Sequence, residues 1–233
     1  MDSIIGIIAA MDVEIDTLKS KMTEVSTEVY FGAEFLRGKL KGKAVVAVTC
    51  GVGKVAAASR ISAMIIKYSP KVIVCTGVAG GLSTELKVTS LAIAENSVQH
   101  DMDTSPLGDP VGMISGINMI NIPSNEYATE ILVASANECG IHNVSGVIAS
   151  GDQFICDSDK KEYIKNTFNA IACDMEIASM AYVCYINDVP FCACKAISDN
   201  GSDDAEMQFN EFVSIASENS AKVIEKFISL YNR

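Results

Sequence analysis

The sequence has few basic residues for its length and no long apolar run. Its 233 residues include 18 Lys and Arg against 29 Asp and Glu, which gives a formal net charge of −11 at pH 7. Nucleic-acid-binding proteins normally present a basic surface to phosphates, so this balance argues against that class. No window reaches the roughly 18 apolar residues of a membrane-spanning helix, and the apolar run 4–11 follows Asp2 instead of a basic segment. We therefore expect a cytoplasmic protein with neither a membrane span nor a secretory signal.

Signatures of common cofactor and metal sites are also missing. Neither the phosphate-binding pattern GxxxxGKS/T nor the dinucleotide-binding pattern GxGxxG occurs. Cys192 and Cys194 lack the CxxC spacing of zinc and redox sites. Several of the eight cysteines lie within apolar stretches, as Cys75 does, which is typical of buried free thiols. The sequence therefore predicts no metal and no organic cofactor.

The chain does contain a large apolar fraction, 49% of its residues, which is enough for a sizeable core. Runs rich in Val, Ile and Ala alternate with segments of helical period, a pattern typical of α/β proteins whose mostly parallel sheet is covered on both faces. No repeat or Pro/Gly-rich linker separates two cores, so we expect one domain over 1–233. The predicted strands are 3–10, 27–39, 43–50, 71–77, 87–97, 144–150, 170–175 and 190–197. The predicted helices are 12–24, 53–68, 124–139, 158–168, 176–188 and 207–231.

The segment from Gln99 to Pro123 is the least regular part of the chain. It holds three of the five prolines and three glycines. Loops of this length in compact domains tend to be functional. We expect a long surface connection that covers a site or meets a partner subunit.

Polar and glycine-rich segments follow several predicted strands, at 9–14, 50–54, 76–82, 173–176 and 195–199. Strand ends in a parallel sheet usually bind ligands, because turns and helix N-termini expose N–H groups there. A carboxylate buried at such an end has a raised pKa and keeps a proton near neutral pH, which suits a general acid. Taken singly, acidic residues in a first helical turn are commonly dipole partners, and each glycine cluster is as consistent with a tight turn.

Together, these segments resemble one known family over essentially the whole chain. The matching motifs, in order, are IIAAMDVE at 7–14, GVGKVAA at 51–57, TGVAGGL at 76–82, HDMD at 100–103, SGDQFI at 150–155, DME at 174–176 and AISD at 196–199. They are similar to those of the 5′-methylthioadenosine/S-adenosylhomocysteine nucleosidases of the nucleoside phosphorylase superfamily. The resemblance implies an α/β, nucleoside phosphorylase-like fold with a mixed, largely parallel central sheet flanked by helices. It also implies a homodimer without cofactor, and hydrolysis of the bond between adenine N9 and ribose C1′.

The resemblance also implies roles for four polar residues. Asp199 matches the acid that protonates adenine N7, and Ser198 helps to orient it. Glu14 matches the carboxylate that activates the attacking water, and Glu176 matches the residue that holds the ribose hydroxyls. Two carboxylates on opposite sides of a scissile bond are the arrangement of glycoside hydrolysis.

Further binding residues follow from the same resemblance, although composition alone would make the apolar ones ordinary core residues. They are Phe154 and Ile155 against adenine, Met175 against ribose, Phe209 against the nucleoside, Val52 near the 5′ side, and Met11, Val78, Ala79, Gly80, Asp174 and Lys195.

Three positions depart from the family pattern. Val78 stands where Ser is usual, Lys195 where Arg is usual and Asp174 where Glu is common. Val78 has no hydroxyl to donate a hydrogen bond. The ammonium of Lys195 is a point charge, whereas the planar guanidinium of Arg can bond two acceptors at once. The segment 104–110 also lacks the aromatic residues that often surround the 5′ substituent. Three alternatives stay open: a nucleosidase with altered rate or preference, a phosphate-dependent phosphorylase, and a catalytically weak nucleoside-binding protein.

Overall fold

The computed structural model describes residues 4–201 and 203–233, which form eleven strands, six α-helices and a short 3₁₀ helix at Ser105–Leu107. The strands are β1 (Ile5–Ala9), β2 (Thr23–Tyr30), β3 (Ala33–Leu40), β4 (Lys43–Thr49), β5 (Val72–Cys75), β6 (Val78–Gly81), β7 (Leu91–Gln99), β8 (Ile122–Pro123), β9 (Asn143–Ser150), β10 (Ala170–Asp174) and β11 (Phe191–Asp199). The helices are α1 (Asp12–Lys21), α2 (Lys54–Tyr68), α3 (Glu126–Glu138), α4 (Ser158–Phe168), α5 (Ile177–Ile186) and α6 (Ala205–Leu230). None of the helices in these two ranges has the length and apolar character needed to cross a membrane.

The strands form a mixed sheet in the order β2-β3-β4-β1-β5-β11-β6-β10-β9-β7-β8. β1 pairs in parallel with β4 and β5, and β5 pairs in parallel with β11. β11 also pairs with β6 and, in antiparallel fashion, with β7, so that β11, β6, β10, β9 and β7 close into a ring. The predicted α/β fold with a mixed central sheet flanked by helices is confirmed.

The core lies on both faces of this sheet. One buried cluster joins the sheet to α2 and α5, and a second joins it to α1, α3 and α6. β1, β5 and β11 are buried along their whole length. Because both of their faces are covered, these strands read as near-continuous apolar runs instead of alternating ones.

The six predicted helices are confirmed, with ends that shift by a few residues. Two of their starts have clear side-chain causes. Asn125 accepts a hydrogen bond from the N–H of Ala128 at the start of α3, and Asp157 accepts one from Lys160 at the start of α4. Such caps satisfy N–H groups that have no partner within the helix.

The prediction of one strand over 27–39 is wrong. The segment contains a hairpin in which β2 and β3 are antiparallel and Phe31 and Gly32 form the turn, with φ of +49° and +72°. Two successive positive φ angles define the tight turn that suits a two-residue hairpin. A phenylalanine at the first turn position gives no turn signal in the sequence. The short strands β6 and β8 are also additional to the prediction.

Candidate active site

A cavity of about 400 Å³ opens along β6 and at the carboxyl ends of β10 and β11. Its lining is Ala10, Met11, Glu14, Val52, Val78, Ala79, Gly80, Gln153, Phe154, Ile155, Cys173, Asp174, Met175, Glu176, Ser198, Asp199, Glu206 and Phe209. All of the site residues predicted from the sequence except Lys195 are therefore brought together around one cavity. Lys195 is buried behind the cavity wall.

Glu14 lies in the first turn of α1 with its carboxylate buried. Its Oε2 accepts hydrogen bonds from the N–H groups of Ala10 at 2.9 Å and Met11 at 2.7 Å, and its Oε1 accepts one from Val78 at 2.8 Å. Gly77 makes room for this carboxylate, because a Cβ at this position would collide with Oε1. Glu14 is thus far more constrained than a solvated dipole partner, since three fixed donors orient it in the cavity wall.

Lys195 forms a buried ionic cluster with two acidic residues. Its Nζ lies 3.4 Å from Oδ2 of Asp174 and 3.6 Å from Oε2 of Glu176. Burial by itself lowers the pKa of Lys195, but the acidic groups around it outweigh burial and hold this pKa well above its usual range. Lys195 therefore remains a cation and balances part of the negative charge behind the cavity.

Glu176 stands at the start of α5, where its two oxygens have different partners. Oε1 accepts a hydrogen bond from the N–H of Gly53 at 2.9 Å, and Oε2 faces Lys195. Burial raises the pKa of Glu176 to about 7, with Lys195 opposing this shift and Asp174 adding to it. The proton occupancy of this carboxyl therefore changes near neutral pH.

Asp174 is held by the ends of two neighbouring elements. Its Oδ1 accepts a hydrogen bond from the hydroxyl of Ser150 at 2.5 Å, and its Oδ2 accepts one from the N–H of Ile177 at 3.1 Å. The Ser150 hydroxyl in turn accepts the N–H of Ala178 at 2.8 Å. Asp174 thus braces the junction of β9, β10 and α5 while it also pairs with Lys195.

Asp199 ends β11, opposite the glycines of β6. Its Oδ1 accepts a hydrogen bond from the N–H of Gly201 at 2.9 Å, and its Oδ2 accepts one from the hydroxyl of Ser198 at 2.9 Å. Burial raises the pKa of Asp199, and these two bonds oppose the shift without cancelling it. Gly80 permits the close approach, since a Cβ at this position would lie 3.0 Å from Oδ1. A carboxyl with a raised pKa beside a cavity has the properties of a general acid.

Aromatic and aliphatic side chains form the remaining walls. Phe154 and Phe209 meet edge to face, with ring centroids 5.7 Å apart and an interplanar angle of 83°. Val52 and Phe154 are 54% and 45% exposed, which puts both at the mouth of the cavity. An apolar cleft with a few convergent carboxylates is suited to a flat, partly polar small molecule.

Four lining residues were not predicted from the sequence: Ala10, Gln153, Cys173 and Glu206. The first three lie within or beside the motifs quoted above, so their positions offered a signal. Glu206 lies in the first turn of α6, outside any motif, and only the fold brings it to the cavity. No residue of the predicted covering segment 99–123 lines the cavity of the described chain, so its contact with a partner subunit stays a prediction.

Known proteins match this chain over nearly its whole length. A family model described as the phosphorylase superfamily matches residues 4–229. The 5′-methylthioadenosine/S-adenosylhomocysteine nucleosidase of Psychromonas ingrahamii is 33% identical over 98% of this chain and 99% of its own.

Solved structures agree with the sequence matches. The nucleosidase of that name from Neisseria meningitidis, in complex with methylthio-immucillin-A, superimposes with a TM-score of 0.95 at 29% identity, covering 98% of this chain and 100% of its own. The futalosine hydrolase of Helicobacter pylori gives a TM-score of 0.95 at 34% identity, with 99% of each chain covered. The chain therefore belongs to the phosphorylase superfamily and, within it, to the family of 5′-methylthioadenosine/S-adenosylhomocysteine nucleosidases.

Proposed function

We propose that this protein is a hydrolase that cleaves the N-glycosidic bond of 5′-methylthioadenosine and S-adenosylhomocysteine and releases adenine. The observation that carries the proposal is that Glu14, Glu176 and Asp199 line the same cavity as an aromatic wall. The named nucleosidases that match over almost the full length support the same activity. 5′-Deoxyadenosine is a further candidate substrate of this class.

In the proposed reaction, Asp199 donates its proton to N7 of adenine. The electron pair of the C1′–N9 bond passes to the purine as that bond breaks, and the ribose becomes oxocarbenium-like. Glu14 accepts a proton from the water whose oxygen forms the new bond to C1′, so the products are adenine and the free sugar. Each proton-transfer role contributes about 10²–10⁴-fold to the rate.

Substrate binding is assigned to the remaining cavity walls. Glu176 accepts hydrogen bonds from the ribose hydroxyls, and Met175 packs against the sugar. Adenine lies against Phe154, Ile155 and the backbone that leads to them, an apolar contact that suits a planar ring. We assign the further contacts to Met11, Val78, Ala79, Gly80 and Ser198 around the reacting centre, to Val52 at the 5′ side and to Phe209 over the nucleoside. Asp174 and Lys195 support Glu176.

Electrostatics favour water over phosphate as the nucleophile. Among the described residues, the cavity lining contains five acidic side chains and no Lys or Arg: the five are Glu14, Asp174, Glu176, Asp199 and Glu206. The nearest buried cation, Lys195, is already paired with two carboxylates. A phosphate dianion needs cationic or multiple N–H donors, so phosphorolysis is disfavoured in this cavity.

The deciding experiment measures the free purine released from 5′-methylthioadenosine and S-adenosylhomocysteine, with phosphate removed and with phosphate added. 5′-Deoxyadenosine and futalosine complete the panel, because a futalosine hydrolase shares this fold. Adenine and free sugar without phosphate are expected. Release only with phosphate would indicate a phosphorylase, and tight binding of methylthio-immucillin-A without turnover of any substrate would indicate a binding protein.

We also infer a homodimer that works in the cytoplasm, in nucleoside catabolism and methionine salvage. Val55 and Ile66 on α2 support self-association, since they are 82% and 74% exposed. Eleven residues correspond to about three helical turns, so both side chains lie on one face of the helix. A solution mass of two chains by light scattering is expected, and a mass of one chain would contradict the inference.

A further inference from the structure

Three charged residues outside the cavity form a cluster that joins three separate segments. Lys54 begins α2, Asp101 follows β7 and Asp152 follows β9. None of the three lines the cavity or takes part in the reaction proposed above. The HDMD and SGDQFI motifs contribute Asp101 and Asp152, and the proposed reaction gives neither residue a role.

Each member of the cluster is bonded to the other two. The Nζ of Lys54 lies 2.5 Å from Oδ1 of Asp101, and Oδ2 of Asp101 accepts the N–H of Asp152 at 2.9 Å. Oδ1 of Asp152 accepts the N–H of Lys54 at 2.7 Å. The side chains of Lys54 and Asp101 are only 17% and 24% exposed, so this ion pair is better shielded from solvent than an ordinary surface pair.

The cluster acts on Glu176 through one backbone group. Gly53, the residue before Lys54, donates its N–H to Oε1 of Glu176 at 2.9 Å. Gly53 has a φ of +98°, and a Cβ there would lie 3.1 Å from Oδ1 of Asp152. The bond from Asp152 to the next N–H along the chain anchors the peptide group that follows Gly53, and so restrains the position from which Gly53 reaches Glu176.

The same cluster connects two walls of the cavity. Val52 lies two residues before Lys54, and Phe154 lies two residues after Asp152. Both side chains are at the mouth of the cavity. Because Lys54 and Asp152 are bonded directly, the distance between these walls depends on the cluster.

We propose that Lys54, Asp101 and Asp152 are positioning residues, which hold the Gly53 N–H against Glu176 and set the spacing between the Val52 and Phe154 walls. This inference rests on the proposed function, in which Glu176 binds the ribose hydroxyls. Loss of the cluster would let the Gly53 N–H turn away, and a carboxylate that loses an N–H donor becomes easier to protonate. The effect would be weaker substrate binding and a shift of the acidic limb of the pH profile to higher pH.

The test compares Asp101→Asn and Lys54→Met with the wild-type protein. Steady-state kinetics on 5′-methylthioadenosine should give a KM raised about tenfold, the effect of one lost interaction of ordinary strength, while kcat changes much less. The acidic limb of kcat/KM should move to higher pH. Lys54→Arg, which retains a cation able to bond Asp101, should restore both values toward wild type.

Lys67→Met is the matched control, since Lys67 is on the same helix and pairs with Glu28 at 2.5 Å, away from the cavity. It should leave KM and the pH profile unchanged. The proposal is overturned if Asp101→Asn, which keeps the size of the side chain, leaves both readouts at wild-type values, or if the control moves them equally.

Failure of the proposed function would be recognised separately, because the wild-type protein would then release no purine. In that case, calorimetric Kd values for methylthio-immucillin-A still test the cluster. Weaker binding by Asp101→Asn and unchanged binding by Lys67→Met would support it, and equal binding by all three proteins would reject it.

Discussion

Asp199 is the residue whose surroundings define its chemistry most directly. Its side chain is buried, its pKa is raised by that burial, and its two oxygens are held by Gly201 and Ser198. Asn has almost the same shape but no proton to donate to a departing base. We expect Asp199→Asn to lower kcat for adenine release by about 10²–10⁴-fold while binding of methylthio-immucillin-A persists. A variant with wild-type kcat would remove Asp199 from the acid role.

The hydroxyl of Ser198 gives a second, pH-dependent prediction. Its hydrogen bond lowers the pKa of Asp199 against the dominant effect of burial. Ser198→Ala removes a donor to the ionised form, so the pKa of Asp199 should rise further. Since the proposed reaction needs the protonated carboxyl, the alkaline limb of the kcat profile should move to higher pH. A limb that stays in place or moves to lower pH contradicts the assignment.

Lys195 allows a prediction about stability. Replacing it by Met would leave Asp174 and Glu176 buried without their cation. Breaking a buried ion pair in this way typically costs about 3–5 kcal/mol, so Lys195→Met should lower the midpoint of urea unfolding strongly. Lys67→Met, which removes an exposed pair with Glu28, should lower the midpoint far less. Equal losses in the two variants would show that the buried cluster is not strongly coupled.

At the scale of elements, the turn between β5 and β6 deserves a test, because it forms one side of the Glu14 site. Gly77 has a φ of +141°, and a Cβ there would collide with Oε1 of Glu14. Gly77→Ala should therefore displace Glu14 and reduce kcat, beyond the strain of about 1 kcal/mol that alanine meets at positive φ. Gly140→Ala is the control: φ is +68°, but nothing lies within 4 Å of the added Cβ. It should lower thermal stability and leave kcat unchanged, and similar kcat values for both variants would contradict the argument.

Individual elements show why the sequence predicts some features and not others. The helices follow from periodicity, because packing against one face imposes it on the residues. The buried strands follow from continuous apolar runs, because both of their faces are covered. The hairpin at Phe31 was not predicted, because Phe31 adopts a left-handed backbone conformation that its residue type does not indicate in the sequence. Glu14 and Asp199 could be located from the sequence because each lies within a short motif that carries the family resemblance. Glu206 and the contacts of Asp101 depend on distant segments that meet only in the folded chain.

At the scale of the whole molecule, the thiols report on the packing of the fold. Six of the eight cysteines are buried, Cys139 is partly exposed and Cys156 is exposed. Burial raises the pKa of these thiols, and it raises that of Cys50 to about 12. Because the thiolate is the reactive form, a raised pKa makes a thiol less reactive. A chromogenic disulfide reagent should modify Cys156 rapidly, and the five buried thiols that do not line the cavity should react only after unfolding. Rapid reaction of more than three thiols in the native protein would contradict this packing.

The burial of β11 has a consequence for the durability of the cavity floor. This strand is buried along its whole length, is hydrogen-bonded to neighbours on both sides, and carries Lys195, Ser198 and Asp199. Amide hydrogens in such a strand exchange with solvent through opening of the entire molecule. Amides in the exposed first turns of α6, where Glu206 and Phe209 lie, can exchange through local fraying. The cavity floor on β11 is therefore disrupted only when the whole protein unfolds, whereas the rim at the start of α6 can open locally.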